Sequence, residues 1–177
     1  MRPDLRLRCD RLEERKAKLF ERLGGLSDEV LNRRPPDDGW SVIQVVAHLS
    51  LAEELSVRYL AKKLAEGGAD APRAGFGSAF RSGLLTLALR SPLRFKAPTR
   101  STDVPERATF SEVAAHWDTV RSSLLATVEA VPPEVADRAI FKHPRAGRIN
   151  LDQALSFMEE HFDHHLRQID RVLAAVA

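Results

Sequence analysis

Cysteine is almost missing from this chain: Cys9 stands alone among 177 residues. That excludes an internal disulfide framework and any cysteine-rich zinc site. Charge of one sign is missing too. Lysine and arginine total 27 against 25 aspartate and glutamate, a formal net charge of +2. A sequence-independent grip on nucleic acid is therefore not expected. Long hydrophobic runs are absent. The longest, Gly83 to Leu89, falls far short of the roughly 20 residues a membrane span needs. The opening MRPDLRLRCDRLEERK is charged throughout, so no secretory signal is expected and the protein is read as cytoplasmic. The alternation of strands is not seen, nor is any internal repeat or low-complexity tract. What is present is a composition of 44% hydrophobic and 29% charged residues. It rules out intrinsic disorder and is that of one soluble domain over residues 1–177.

The period is 3.6 throughout. Leu5, Leu12, Leu19 and Leu23 recur at helical spacing until Gly24-Gly25. Ser27-Asp28 then caps a short helix to about Asn32, and Arg33 to Gly39 is a turn-rich breaker. Ser41 with Gln44, Thr109 with Glu112 and Asn150 with Gln153 are three capping boxes. Trp40, just before the first box, is placed to staple onto Val45. These signals predict an all-α four-helix bundle with long helices over 1–24, 41–66, 109–131 and 151–175. The long crossover connection between the second and third carries a short extra helix near Ser78–Arg90. Ala139 to Ile149 reads as an extended connection. From Arg73 to Arg107 there are seven basic and two acidic residues, a net +5 that leaves −3 for the remainder.

Six histidines are distributed unevenly. On the last helix the inward stripe reads Leu151, Ala154, Leu155, Met158, His161, Phe162, His165, Ile169 and Val172. His161 and His165 are four apart and share a face. On the second helix His48 stands in the stripe of Val45, Leu49, Ala52, Leu55 and Tyr59. Three imidazoles thus occupy positions where bulk hydrophobes belong. A pair at i, i+4 also arises by chance on long helices, and most buried histidines only hydrogen-bond. Three in one core, however, need a shared partner, because each unpaired buried imidazole costs about 1–3 kcal/mol. One divalent ion provides it. Neutral nitrogens suit Zn, Ni, Fe or Cu, and three protein ligands leave open positions, as catalytic sites do.

The order Gly39-Trp40-Ser41, then His48-Leu49, then His143-Pro144 with Gly147, then His161-Phe162-Asp163-His164-His165-Leu166-Arg167-Gln168-Ile169 resembles the DinB-like superfamily, YfiT-type proteins included. The resemblance covers nearly the whole chain. It implies a four-helix bundle with a divalent metal, zinc or nickel, held by His48, His161 and His165. It also implies small-molecule chemistry: S-transfer with a low-molecular-weight thiol such as bacillithiol or mycothiol, or metal-dependent isomerisation or hydrolysis. The expectation is a metal-dependent thiol S-transferase or hydrolase. The competing class is a non-catalytic, stress-associated binding or structural bundle, with a structural metal or none and an oligomer face such as a homodimer's.

Around these positions, His164 reads as a solvated residue or a support for the ligands, His143 as a turn former and His116 as a surface residue. Glu160 and Asp163 read as solvated charges, the alternative being that one of them orients a ligand through its second ring nitrogen, Gln44 as a cap, Gln168 as a residue reaching back one turn toward the site, and Cys9 as inert. Phe80 to Lys96 has two readings, a basic amphipathic element on a membrane surface or a basic lid whose leucines cover one end of the bundle; the short apolar run favours the lid, with Arg90, Arg94 and Lys96 toward an anionic cosubstrate.

Overall fold

The computed structural model describes residues 1–68, 71–90, 103–143 and 146–176, with residues 82, 88 and 89 described by backbone alone. Arg94 and Lys96 of the expected lid, and Pro144 of the turn motif, lie outside the described residues. Among the described residues seven helices and one hairpin follow in order: α1 (Pro3–Gly24), α2 (Asp28–Asn32), α3 (Val42–Ala65), α4 (Phe76–Arg90), α5 (Phe110–Glu129), α6 (Pro133–Ala136), β1 (Phe141–His143), β2 (Gly147–Ile149) and α7 (Leu151–Val176).

The helix starts are set by the expected chemistry. Gln44 N–H donates to Ser41 Oγ at 3.3 Å and Ser41 N–H to Gln44 Oε1 at 3.1 Å. Thr109 and Glu112 repeat the exchange at α5, and Asn150 and Gln153 at α7. Each box satisfies two backbone donors that a helix start otherwise leaves open. Pro3 and Asp4 open α1, where a fixed φ and a negative charge both suit the first turn. α3 gives way to Gly67, whose φ of 93° is costly for a residue with a Cβ.

The four long helices form a bundle with α3 packed most extensively on α5. α1 and α3 both pack on α7, and α1 closes the ring on α5. Sequence neighbours are thus not always spatial neighbours. α1 and α3 face each other across the bundle, as do α5 and α7, while the long connection joins two helices that lie side by side. Within that connection α4 crosses to pack on α7 and β2.

Two apolar clusters fill the interior. One gathers Leu19, Leu23, Val42, Val46, Leu49, Trp117, Phe162 and Ile169. The other gathers Leu5, Cys9, Leu12, Val57, Leu60, Leu124, Val128 and Leu155. On three of the helices a charged residue stands between the two clusters: Lys16 on α1, Glu53 on α3 and Arg121 on α5, all buried. On α7 the same level is occupied by Met158, Glu159 and His161. The bundle is therefore crossed by a polar layer.

The segment expected to be merely extended is an antiparallel hairpin pairing Phe141 with Ile149, Lys142 with Arg148 and His143 with Gly147. Phe141 and His143 are buried around an exposed Lys142. The alternation is real but only three residues long, too short to register as a strand pattern. Gly147 takes φ 71° at the turn, and Ala146 N–H donates to His143 Nδ1 at 3.0 Å. His143 thus forms the turn, as expected.

The lid expectation needs correction. Leu85 packs toward Phe141, Ala146 and Ile149, but Phe76, Phe80, Leu84 and Leu87 are exposed. α4 lies along the flank of α7, held by Ser78 Oγ donating to Gln153 Oε1 at 2.6 Å and Arg81 Nε donating to Ala146 O at 2.8 Å. Arg90 is engaged by Glu160 through two hydrogen bonds, 2.9 and 2.5 Å. It contacts the helix that carries the histidines.

Candidate metal centre

His48 lies in the most enclosed stretch of α3, where every residue from Val42 to Ser50 is buried. The Ser41 cap fixes where α3 begins and so at which angle residue 48 points. Trp40, just ahead of the cap, packs against the first cluster. Its ring lies 5.1 Å from that of His48. On α7, His161 and His165 occupy successive turns of the face that packs against α3. The ring centroids of His48 lie 5.3 Å from His161 and 4.7 Å from His165, and the latter two are 4.6 Å apart. One nitrogen from each of the three lies within 4.8 Å of the others. The structure thus brings His48, His161 and His165 to one point.

The hydrogen bonding around them is directional. His165 Nδ1 lies 2.8 Å from Gln168 Oε1. A carboxamide oxygen only accepts, so Nδ1 carries the proton and Nε2 of a neutral ring presents its lone pair. That lone pair meets His161 Nε2 at 3.1 Å. Two imidazole nitrogens so close need a proton or a cation between them. Tetrahedral coordination at bond lengths of about 2.0–2.1 Å puts ligand nitrogens about 3.3 Å apart. The donor set therefore fits a divalent transition ion. Gln168 supplies the outer hydrogen bond that metal-bound histidines generally need.

Charge favours the same reading. Burial, with the neighbouring imidazoles His165 and His48, holds the His161 ring well below the usual histidine range. Burial and His48 push His165 down to about 3, against the opposing bond from Gln168. Both rings are neutral at physiological pH, with lone pairs available for coordination. Phe157 stacks on His161 with centroids 5.4 Å apart and planes 20° from parallel. It limits the ring to a narrow range of tilt.

The other histidines are not among the three whose nitrogens converge. His164 is half-buried with its ring 5.2 Å from that of His165. His116 is exposed and lies 3.5 Å from Glu54. Glu160 and Asp163, expected as solvated charges, are both tied down: Glu160 by Arg90, and Asp163 by Arg15 at 3.1 Å. Cys9 is buried, and burial pushes its thiol up to about 11, consistent with an inert sulfur. Gln44 caps α3, as expected.

Glu53, Trp117 and Arg121 did not emerge from sequence reasoning as a group. Trp117 Nε1 donates to Glu53 Oε2 at 3.1 Å, and Arg121 Nη2 lies 3.0 Å from the same oxygen. Burial pushes the Glu53 carboxyl up, while Arg121 and Trp117 pull it back. The signal was available: Glu53 shares an inward face of α3 with Leu49, Val57 and Leu60, and Arg121 sits beside Val120 and Leu124 on α5. Opposite charges on inward faces of two helices that pack together are a sequence-visible sign of a buried pair.

Helical bundles that gather three histidines at their centre form a recognisable class. Within it the chain belongs to the DinB superfamily, which its residues 11–169 match. It is 25% identical to the uncharacterized protein YuaE of Bacillus subtilis (strain 168) over 159 residues, 90% of this chain and 93% of that protein. Its fold is that of YfiT from Bacillus subtilis, described as a probable metal-dependent hydrolase with an unusual four-helix bundle topology. That likeness has a TM-score of 0.55 at 20% sequence identity and covers 97% of this chain and 87% of the other.

Proposed function

We propose that the protein is a metal-dependent hydrolase of a small molecule, with one divalent ion, zinc or nickel, held by His48, His161 and His165. The observation that carries this reading is the 3.1 Å approach of two imidazole nitrogens with His48 close enough to complete a triangular face. The description of YfiT supports the choice of hydrolysis over thiol transfer. A divalent ion bound by three imidazoles lowers the pKa of a water in an open position and polarises an electrophilic carbonyl.

The chain's own contribution is preparation. Gln168 fixes the His165 tautomer so that Nε2 faces inward. Burial keeps the His161 and His165 rings neutral, so their lone pairs are not lost to protons. Trp40 and Phe157 wall the His48 and His161 rings. Rigid walls of this kind hold a reacting group in place and limit competing water. The chain is expected to act as a single domain in the cytoplasm.

The test starts with untagged protein, since a histidine tag would itself bind metal. Metal content should be one equivalent and should fall to background in His48→Ala, His161→Ala and His165→Ala. An ester and amide panel should then give metal-dependent turnover, abolished by a chelator and restored by the ion. Metal at background in the unaltered protein would sink the reading. Metal-dependent transfer of a thiol, without hydrolysis, would keep the site but replace the reaction.

A further inference from the structure

With most of its large side chains outside, α4 presents an apolar stripe to solvent. Phe76 is 90% exposed, Phe80 61%, Leu84 52% and Leu87 67%. At 3.6 residues per turn these four fall within about 80° of arc. The opposite face holds the helix to the bundle: Leu85 packs toward the hairpin and the buried Ser78 bonds to Gln153 of α7. The stripe therefore follows from how α4 is docked. Exposed apolar patches of this kind mark interaction sites.

The margins of the stripe are basic. Arg81 lies beyond one edge by about 60° and Arg90 beyond the other by about 40°. Arg81 is anchored to Ala146 O and Arg90 to Glu160. Glu160 offsets the charge of Arg90, but residues 71–100 contain six basic residues and no aspartate or glutamate.

We propose that α4 is a membrane-surface anchor, whose stripe of Phe76, Phe80, Leu84 and Leu87 lies in the headgroup region of an anionic bilayer. No helix among the described residues is long and apolar enough to cross a membrane, and α4 has only 15 residues. It would lie in the plane of the interface, its apolar face sunk about 5–10 Å and its arginines among the headgroups. The inference is independent of the histidine site.

Charge and shape select this occupant. A second copy of the chain would bring two acid-free basic segments together, and like charges across an interface are unfavourable. Anionic lipid instead attracts them. A protein interface carries about one hydrogen bond per 100–200 Å², whereas the stripe is made of phenylalanine and leucine, which offer no hydrogen-bonding side-chain atom. A bilayer asks for none. Phe76, at 90% exposure, projects from the surface rather than lining a recess, as insertion requires.

The experiment floats untagged protein with vesicles of phosphatidylcholine containing about one-third phosphatidylglycerol, and with vesicles of phosphatidylcholine alone. Partition onto the anionic vesicles is expected to be about tenfold stronger or more, and to weaken as salt screens the surface. Phe76→Ser with Phe80→Ser removes two exposed rings and should weaken it by about tenfold or more. Circular dichroism and the urea midpoint check that this variant keeps the fold. Leu7→Ser removes a leucine of α1 that is 51% exposed and should leave partition unchanged. No flotation with anionic vesicles, equal flotation with neutral ones, or equal losses in the two variants overturns the proposal. A dimer in sedimentation that Phe76→Ser with Phe80→Ser dissociates, without vesicle binding, would overturn it in favour of a second copy.

Discussion

The core is interrupted by polar groups in two ways, and they obey opposite rules. At the histidine cluster three like groups meet: His48, His161 and His165, each able to offer a lone pair. At the layer beneath, unlike groups meet: Glu53 faces Arg121 at 3.0 Å, and Lys16 reaches Asp118 at 2.5 Å. Opposite charges largely compensate one another within the protein. Like groups cannot, and need something shared from outside. The Glu53–Arg121 pair therefore needs no outside ion to balance its charges, although Glu53 Oε1 and Arg121 Nη1 find no hydrogen-bond partner among the described residues, whereas converging imidazoles point beyond the protein to a ligand. The difference gives each region its own signature under mutation, chelation and acid.

The largest effect is expected in the charged layer. Arg121→Ala leaves Glu53 as a buried charge without its partner. Such losses cost about 3–5 kcal/mol, measurable by equilibrium urea unfolding. The double variant Glu53→Leu with Arg121→Met should regain most of that, because removing both charges removes the desolvation cost as well. A double variant no more stable than the single one would show that the pair is not a closed unit. The corresponding change at the histidines, His48→Leu, is expected to leave unfolding of metal-free protein close to that of the unaltered chain.

Metal removal should reverse that ranking. An ion that binds only the folded state at a hundredfold excess over its Kd stabilises by about 2.7 kcal/mol. Chelation should lower the melting temperature of the unaltered protein by the corresponding amount and leave the His161→Ala variant unmoved. Arg121→Ala should remain chelator-sensitive, since its charge lies outside the cluster. Equal sensitivity in the His161 variant would place the ion elsewhere.

Acid separates the two regions by sign. His161 and His165 have folded-state pKa values below the usual 6.5, His165 at about 3. Below pH 6.5 the unfolded chain takes up protons that the folded chain refuses. Stability of metal-free protein from this source is thus complete above 6.5 and is lost as pH falls toward 3. The Glu53 carboxyl is raised, so the folded state takes its proton more readily than the unfolded chain does. Its contribution is greatest below the usual carboxyl pKa and is lost as pH rises through the folded value. Replacing His161 and His165 with Leu should flatten the acid limb of urea midpoints against pH, whereas Glu53→Gln should steepen it. Identical profiles for the two variants would remove the distinction.

The two regions also differed in how legible they were. The histidines were visible because a ring nitrogen on an apolar stripe breaks the 3.6-residue pattern twice on one helix and once on another. The helix starts were visible because capping is local: Ser41 and Gln44 are three residues apart wherever the chain goes next. Glu53 and Arg121 follow the same inward logic. They are hard to single out because a charge on a long helix is normally a surface residue, and because Glu53 stands next to Glu54, which is half exposed. The ring order of the helices was not legible. It is decided by how α1, α3, α5 and α7 match one another's ridges, while the connections permit several arrangements. The hairpin escaped because period 2 over three residues cannot be told from noise. α4 was found by its apolar run, but which of its leucines face inward depends on α7 and β2, far away in sequence.

The smallest effect, and the most specific, concerns Gln168. Its Oε1 accepts from His165 Nδ1 at 2.8 Å and makes no direct claim on an ion. Gln168→Leu should leave the fold unchanged, because the side chain is half-buried on the last turns of α7 and lies away from the charged layer. Without the acceptor, His165 gains freedom to rotate and to place its proton on Nε2, the nitrogen that faces His161. Losses of such outer hydrogen bonds cost 10–100-fold in metal affinity, and the lower end is expected here because burial still restrains the ring. Competition titration with a chromophoric chelator reads the change directly. Gln168→Glu should bind at least as tightly as the unaltered protein, since a carboxylate accepts the same proton and makes the imidazole a stronger ligand. Affinity unchanged in Gln168→Leu would mean that packing, not this hydrogen bond, orients His165. The cluster would then resemble the layer beneath it, held by the protein's own contacts alone.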